Sequence, residues 1–265
     1  RVAVGCGSRF KGPTNSITAP RFLEDCLDRG FCYWDCAANY GTEHLLGEVV
    51  KDRRSDIWLS SKVQERGKSS ARQVVEQSFA NLKTDYIDMY NIHAVDDVND
   101  ARNLGPVFEL LEEYRKAGDI GYIGFSAHAN AAGVRHAVEN YDFDHMIVAM
   151  NEWMNTDMLG EAVPAAACKG MGISLIKVVR PRENDPSFTP ESLIRYALSL
   201  EHVNTAVLGM GTLDILEDNT RILHEFEPMK APEMDEMTAR LEPFFAGTEL
   251  AWKRPTYRDG VGGWH

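Results

Sequence analysis

Short apolar runs alternate along the chain with longer stretches in which apolar positions recur three and four residues apart. The runs cover residues 2–6, 31–35, 56–62, 86–92, 120–125, 146–150, 173–179 and 205–208. They are about five to seven residues long and rich in β-branched and aromatic side chains, which predicts strands. The stretches between them cover 20–29, 43–51, 70–82, 106–117, 131–140, the segment ending at 169, 191–200 and 213–224. Their spacing predicts amphipathic helices: Val74, Val75, Ser78, Phe79 and Leu82 share one helical face. Gly30, Gly118 and one of Gly170 or Gly172 stand just past helices, where a left-handed cap favours glycine.

Strand starts recur every roughly 25 to 35 residues, the size of a strand–helix–strand unit. Crossover helices throughout imply a parallel sheet. Eight such units in 265 residues close most simply into a (β/α)8 barrel, with an open doubly wound sheet as the alternative. No Gly/Ser-rich or Pro-rich linker divides the chain, so residues 1–265 are expected to form one domain. A C-terminal segment, 245–265, is expected near the barrel mouth, with Trp252, Tyr257 and Trp264 packing there or forming a flap.

Composition narrows the function. The formal net charge is −12, from 28 Lys+Arg and 40 Asp+Glu, which argues against a nucleic-acid partner, since such binding runs on clustered cations. No apolar run approaches the ~20 residues of a membrane span. Five cysteines, an odd number without a CxxC pair, read as buried free thiols and fit a reducing, cytoplasmic compartment. The chain opens on Arg1 rather than Met, which leaves room for a removed leader.

In a barrel of this kind the chemistry sits at the C-terminal ends of the strands. Asp35 ends the second run, with Tyr40 in the loop beyond it; Lys62 ends the third, His93 follows the fourth, and Ser126 and His128 follow the fifth. Singly, each has a bland explanation: a cap, a packing ring, a solvated amine, a structural imidazole. Those explanations do not place them at one common end. Together they make a general acid–base set: an ammonium about 4 Å from a phenol attracts the phenolate by ~4 kcal/mol at an effective dielectric near 20. Asp35 would hold Lys62 charged, and His93 would orient a substrate oxygen. His93 and His128 lack zinc-helix spacing, and Lys62 would compete with a cation, so no metal is expected.

The run Asp35-Cys-Ala-Ala-Asn-Tyr40-Gly41-Thr-Glu43-His-Leu-Leu-Gly47 resembles the aldo-keto reductase signature. Ser60-Ser61-Lys62-Val63, the segment from Ser78 to His93, Ile123-Gly124-Phe125-Ser126, and the blocks at Val207–Gly209 and Glu217–Asn219 resemble later parts of the same family, in order. The resemblance implies a (β/α)8 oxidoreductase that uses NADPH, or NADH, without metal on a small carbonyl substrate. It makes Asp35, Tyr40, Lys62 and His93 the catalytic tetrad and places Ser126 and Asn151 by the nicotinamide. Gly209, Gly211, Thr212 and Arg180 fall near the phosphates, with Arg182 adding charge, and Asp218 and Asn219 near the adenine. Five positions depart from the family pattern. Ala127 stands where the family often has Asn, and His128 is unusual. Ile147 stands where a Gln is usual, Val178 where an aromatic ring stacks, and Ile215 near the arginine that reads a 2′-phosphate. Weaker cofactor binding and a relaxed NADPH preference would follow. A non-catalytic, cofactor-binding or regulatory relative is the alternative, and a lyase or isomerase that uses Tyr40 and His93 is a third reading.

Overall fold

A computed structural model describes residues 1–7, 18–128, 130–150, 158–183, 185–246, 250 and 252. Eight parallel strands close into a barrel in chain order: β1 Val2–Gly5, β2 Tyr33–Asp35, β3 Trp58–Val63, β4 Ile87–Ile92, β5 Ile120–Ala127, β6 His145–Ala149, β7 Gly172–Ile176 and β8 Thr205–Gly209. The helices between them are α1 Thr18–Asp28, α2 Glu43–Arg53, α3 Lys68–Leu82, α4 Val98–Ala101, α5 Gly105–Ala117, α6 Ala131–Asn140, α7 Val163–Cys168, α8 Pro190–Ser199 and α9 Leu213–His224. A further helix, α10 Ala231–Ala246, packs on α8, where the Tyr196 hydroxyl lies 2.9 Å from that of Thr238.

Helices α4 and α10 are additions to the expected pattern, and three further details differ from it. The strand expected over 173–179 stops at Ile176, because Lys177 takes a left-handed φ of 63° that strand pairing cannot continue. The helix before Lys169 is short and is preceded by a π-turn over Met158–Ala162. Cys32 and Cys168 are exposed, whereas Cys6, Cys26 and Cys36 are buried. The glycine caps sit where expected, at Gly30, Gly118 and Gly170, each with positive φ.

Apolar packing between the helices and the barrel carries the fold. Leu46, Val50, Val75, Leu82, Leu110, Leu111, Val134 and Val138 line the helix faces turned to the barrel and are fully buried. Between α2 and α3 the backbones meet so closely that a Cβ at Gly47 would lie 2.1 Å from the Asn81 carbonyl oxygen. Only glycine permits that contact.

The barrel interior is polar where branched aliphatics are the usual filling. The Asn91 amide donates to Ser60 Oγ at 3.0 Å, and His145 Nε2 lies 2.9 Å from Ser174 Oγ. Gly124 and Gly172, the register partners of His145, leave space for these side chains. Burial, reinforced by the Lys62 charge, pushes the His145 imidazole down to about 3. The folded value lies below the unfolded one, so this residue's contribution to stability is present above about pH 6.5 and is lost as pH falls toward 3. In urea unfolding over that interval, His145→Gln is expected to flatten the stability slope by ~1 kcal/mol per pH unit relative to wild type. An unchanged slope would contradict a neutral buried imidazole.

Candidate active site

The strand ends gather Asp35, Tyr40, Lys62 and His93 at one end of the barrel. Asp35 closes β2 and pairs in register with Ser60 of β3; Lys62, two residues on, pairs with Asn91 of β4, and the His93 amide donates to Val63 O. The side-chain alternation of the strands turns Asp35, Ser60, Lys62 and Asn91 to the same, inner face, where their contacts lie. Lys62 Nζ donates to Asp35 Oδ2 at 2.6 Å and to the Cys36 carbonyl at 2.6 Å. Ser60 Oγ donates to the other Asp35 oxygen at 3.2 Å. This ion pair is almost wholly buried, with side chains 2% and 4% exposed, so its geometry is fixed by the surrounding hydrogen bonds.

Tyr40 ends a single 3-10 turn, Ala38–Tyr40, closed by Gly41 at φ 67°. Thr42 ties this turn to β1 by donating from Oγ1 to the Cys6 carbonyl at 2.7 Å. Gly7 lies against the ring, where a Cβ would meet Tyr40 Cε2 at 3.3 Å. Lys62 Nζ sits 5.3 Å from the Tyr40 ring centroid, and the Tyr40 and His93 rings meet edge-on at 5.5 Å. Behind the tetrad, the buried Glu43 accepts from Ser61 Oγ at 2.7 Å and Asn81 Nδ2 at 3.2 Å, clamping the start of α2 to β3 and α3. The neighbouring Cys36 thiol is pushed up to about 12, chiefly by burial, and stays protonated and inert.

A second group lies on the far side of His93. Ala94 takes a left-handed φ of 57°, and its amide donates to Ser126 Oγ at 3.0 Å, while the Val95 amide donates to Ser126 O at 2.7 Å. Arg66 holds the same loop, donating to the His93 carbonyl at 2.8 Å and to both oxygens of Asp100. So held, the loop delivers Asp96 to β5: one carboxylate oxygen accepts the His128 amide, and the other lies 3.1 Å from His128 Nδ1. The His128 ring is buried and its centroid is 6.4 Å from that of His93. Sequence reading singled out His128 but missed Asp96, Arg66 and Ser60. Their partners are 25 to 34 residues away, and no local pattern links them.

The residues expected around a cofactor are only partly assembled. Ser126 is buried beside His93, directly across the register from Ile147. Gly209 and Asn219 line a cavity of about 320 Å³ together with Val179, Arg182 and Ile215. Thr212 caps α9, accepting the Ile215 amide at 3.3 Å. Arg180 opens a 3-10 turn over Arg180–Glu183 but is not part of the cavity wall. Asp218 faces outward toward Arg221, 3.9 Å away, with its side chain 71% exposed. Its expected adenine contact therefore has no counterpart in that cavity, because α9 turns Asn219 inward and Asp218 outward. Gly211 lies in the β8–α9 loop. Asn151, Trp153, Trp264 and most of 245–265 lie outside the described residues; within that segment Trp252 is buried near Lys177 Nζ, 5.9 Å from its ring centroid. Among the described residues no group of three or more His, Cys, Asp or Glu is placed to hold a metal ion. No helix among them is long and apolar enough to cross a membrane.

The sequence profile of the aldo/keto reductase family matches residues 1–179. The chain belongs to the aldo/keto reductase family. Among the relatives of this aldo/keto reductase, the uncharacterized oxidoreductase YqkF of Bacillus subtilis is 31% identical over 141 residues, 47% of this chain and 44% of that protein. The aldo-keto reductase YhdN of the same organism is 30% identical over 144 residues, 48% of this chain and 43% of that protein. The matched region thus spans less than half the length of either relative. The fold is shared with aldo-keto reductase AKR11C1 from Bacillus halodurans in its holo form, at a TM-score of 0.74 and 22% identity, covering 91% of each chain.

Proposed function

We propose that this aldo/keto reductase is a nicotinamide-dependent carbonyl reductase in which Tyr40 is the general acid. The observation that carries the reading is the buried Asp35–Lys62 pair, whose ammonium lies 5.3 Å from the Tyr40 ring centroid. A bare packing tyrosine has no need of a lysine kept charged beneath it at the cost of desolvating two ions.

The residues present fit a dinucleotide cofactor. Ser126 Oγ accepts the Ala94 amide and retains its own hydrogen to donate. The cavity between Gly209, Asn219, Ile215 and Arg182 combines a polar amide with a cationic rim, and the amides at the start of α9 suit an anionic phosphate. When bound, the nicotinamide would supply the hydride. The chain's own residues do the rest. His93 donates a hydrogen bond to the substrate's carbonyl oxygen and orients it. Tyr40 passes its proton to that oxygen as negative charge develops there. Lys62 lowers the free energy of the phenolate left behind, and Asp35 and the Cys36 carbonyl hold Lys62 in place. A neutral small carbonyl compound suits a tetrad whose charges are internally paired.

Cofactor preference turns on Ile215, which is 40% exposed and lines the cavity with Arg182. Ile215→Arg places a fork of donors where a ribose 2′-phosphate would lie. Its expected effect is a roughly tenfold tighter Kd for NADPH, equal to one added charge-assisted contact of about 1.4 kcal/mol, with NADH unchanged. Fluorescence titration of both cofactors checks this; an equal change in both would contradict it.

A further inference from the structure

The Asp35 carboxylate is held from two sides, and only one of these donors belongs to the tetrad. Lys62 Nζ donates to Oδ2 at 2.6 Å, and Ser60 Oγ donates to the other oxygen at 3.2 Å. Unlike the ammonium, a hydroxyl both donates and accepts, and it turns to suit its neighbours. Asn91 fixes its sense. Asn91 Nδ2, which can only donate, lies 3.0 Å from Ser60 Oγ and 3.2 Å from the Ser61 carbonyl oxygen. That carbonyl can only accept, so this end of the amide is the NH2 group. Ser60 Oγ therefore accepts from Asn91, and its single hydrogen is left for Asp35. The Tyr33 hydroxyl near Ser60 is the competing acceptor, and it forms no hydrogen bond among the described residues.

The amide is seated at a cost. Asn91 and Ser60 are fully buried on the inner face of the barrel, where a branched aliphatic side chain is the usual occupant. The register sets Asn91 beside Lys62 and Ser60 beside Asp35, so the amide reaches diagonally across to the neighbouring layer. Its register partner on β5, Gly124, leaves the room, since a Cβ there would meet Asn91 Oδ1 at 2.3 Å. Oδ1 itself is buried without a hydrogen-bond partner among the described residues, a penalty that a leucine would not incur. What Asn91 supplies in return is its pair of N–H donors.

A donor on Asp35 matters at Tyr40. It draws down the negative potential of the carboxylate, so less of the Lys62 charge is cancelled at the ring 5.3 Å away. We propose that Asn91 is a positioning residue for the tetrad: acting through Ser60, it fixes a hydrogen bond on Asp35 that leaves more of the Lys62 charge to the Tyr40 phenolate. Its effect on rate rests on the proposed reductase reading; its effect on the ionisation of Tyr40 does not.

The test reads Tyr40 directly, by NMR titration of protein carrying carbon-13 at tyrosine Cζ, without cofactor, the signal being assigned with Tyr40→Phe. Asn91→Leu fills the site and Asn91→Ala leaves a void, but both remove the donor. The Tyr40 midpoint is expected to rise by about half a pH unit or more in both alike, and also in Ser60→Ala. Tyr40 faces Lys62 of β3 with Asp35 of β2, and His93 after β4, with Glu43 of α2 and the protonated Cys36 thiol behind them; all five are kept in these variants. The double variant Ser60→Ala, Asn91→Leu is expected to match Ser60→Ala alone, because Asn91 acts through that hydroxyl. In turnover, kcat is expected to fall by about three- to tenfold at unchanged KM in both Asn91 variants. A midpoint left in place, midpoints that differ between the filled and the emptied site, or a double variant that adds the two single effects would each overturn the proposal. If neither Asn91 variant folds, Ser60→Ala carries the test, and an unmoved Tyr40 midpoint there overturns it as well. Midpoints that rise as expected in a protein without nicotinamide-dependent turnover would overturn the reductase reading and leave the Asn91 assignment standing.

Discussion

Tyr40→Phe is expected to lower kcat for carbonyl reduction by about 10²- to 10⁴-fold, the range associated with losing a positioned general acid. Tyr40 is 8% exposed and its ring packs against Gly7 and His93, contacts that phenylalanine keeps. The variant should therefore fold with near-wild-type stability and bind nicotinamide cofactor with an unchanged Kd. Equilibrium titration and turnover measured on the same preparation separate the two effects. Wild-type turnover in the Phe variant would remove Tyr40 from the mechanism.

Lys62→Met is the second large effect, and it acts on stability as well as on rate. Methionine fills much of the lysine's volume but leaves Asp35 buried with Ser60 Oγ as its one side-chain donor among the described residues, and leaves the Cys36 carbonyl without its 2.6 Å contact. Removing one partner of a buried ion pair costs about 3–5 kcal/mol, against a typical domain stability of about 5–15 kcal/mol. We expect a large fall in unfolding midpoint together with loss of turnover. The double variant Lys62→Met, Asp35→Leu removes the stranded carboxylate and should regain much of the stability while remaining inactive. If Lys62→Met unfolds no more readily than wild type, Asp35 in that variant is not the buried, uncompensated charge that the 2% and 4% side-chain exposures imply.

Much of this architecture is legible in the sequence. The 3.6-residue periodicity of the helices and the short β-branched runs give all eight strands in order, because a parallel barrel buries its strands on both faces and so writes them as apolar runs. The convergence of Asp35, Tyr40, Lys62 and His93 is legible because each closes or follows a strand and the barrel brings strand ends together. Two elements were not. Helix α10 is weakly patterned and lies past the last strand–helix unit, so no repeat announces it. The stop of β7 at Ile176 depends on the backbone at Lys177, a left-handed residue that is not glycine and so gives no local signal. At the site, Asp96 lies in an unremarkable Asp-Asp-Val sequence, and its meaning arises only when the Ala94 turn carries it 32 positions along the chain to His128. The cofactor residues were read by resemblance alone. The fold gathers Gly209 and Asn219 about one cavity but turns Asp218 to solvent, because adjacent positions on a helix face about 100° apart.

Under the proposed function, hydride and proton reach one carbonyl group, the proton from Tyr40. The most direct test carries out turnover of a small-aldehyde panel with nicotinamide cofactor deuterated at its transferable position and analyses the alcohol by mass spectrometry, for wild type and Tyr40→Phe in parallel. We predict deuterium on the carbinol carbon of the wild-type product and almost none formed by the variant in the same time. Folded wild-type protein that binds neither NADPH nor NADH at saturating concentration, or alcohol formed without deuterium, would rule out hydride transfer from nicotinamide in this site.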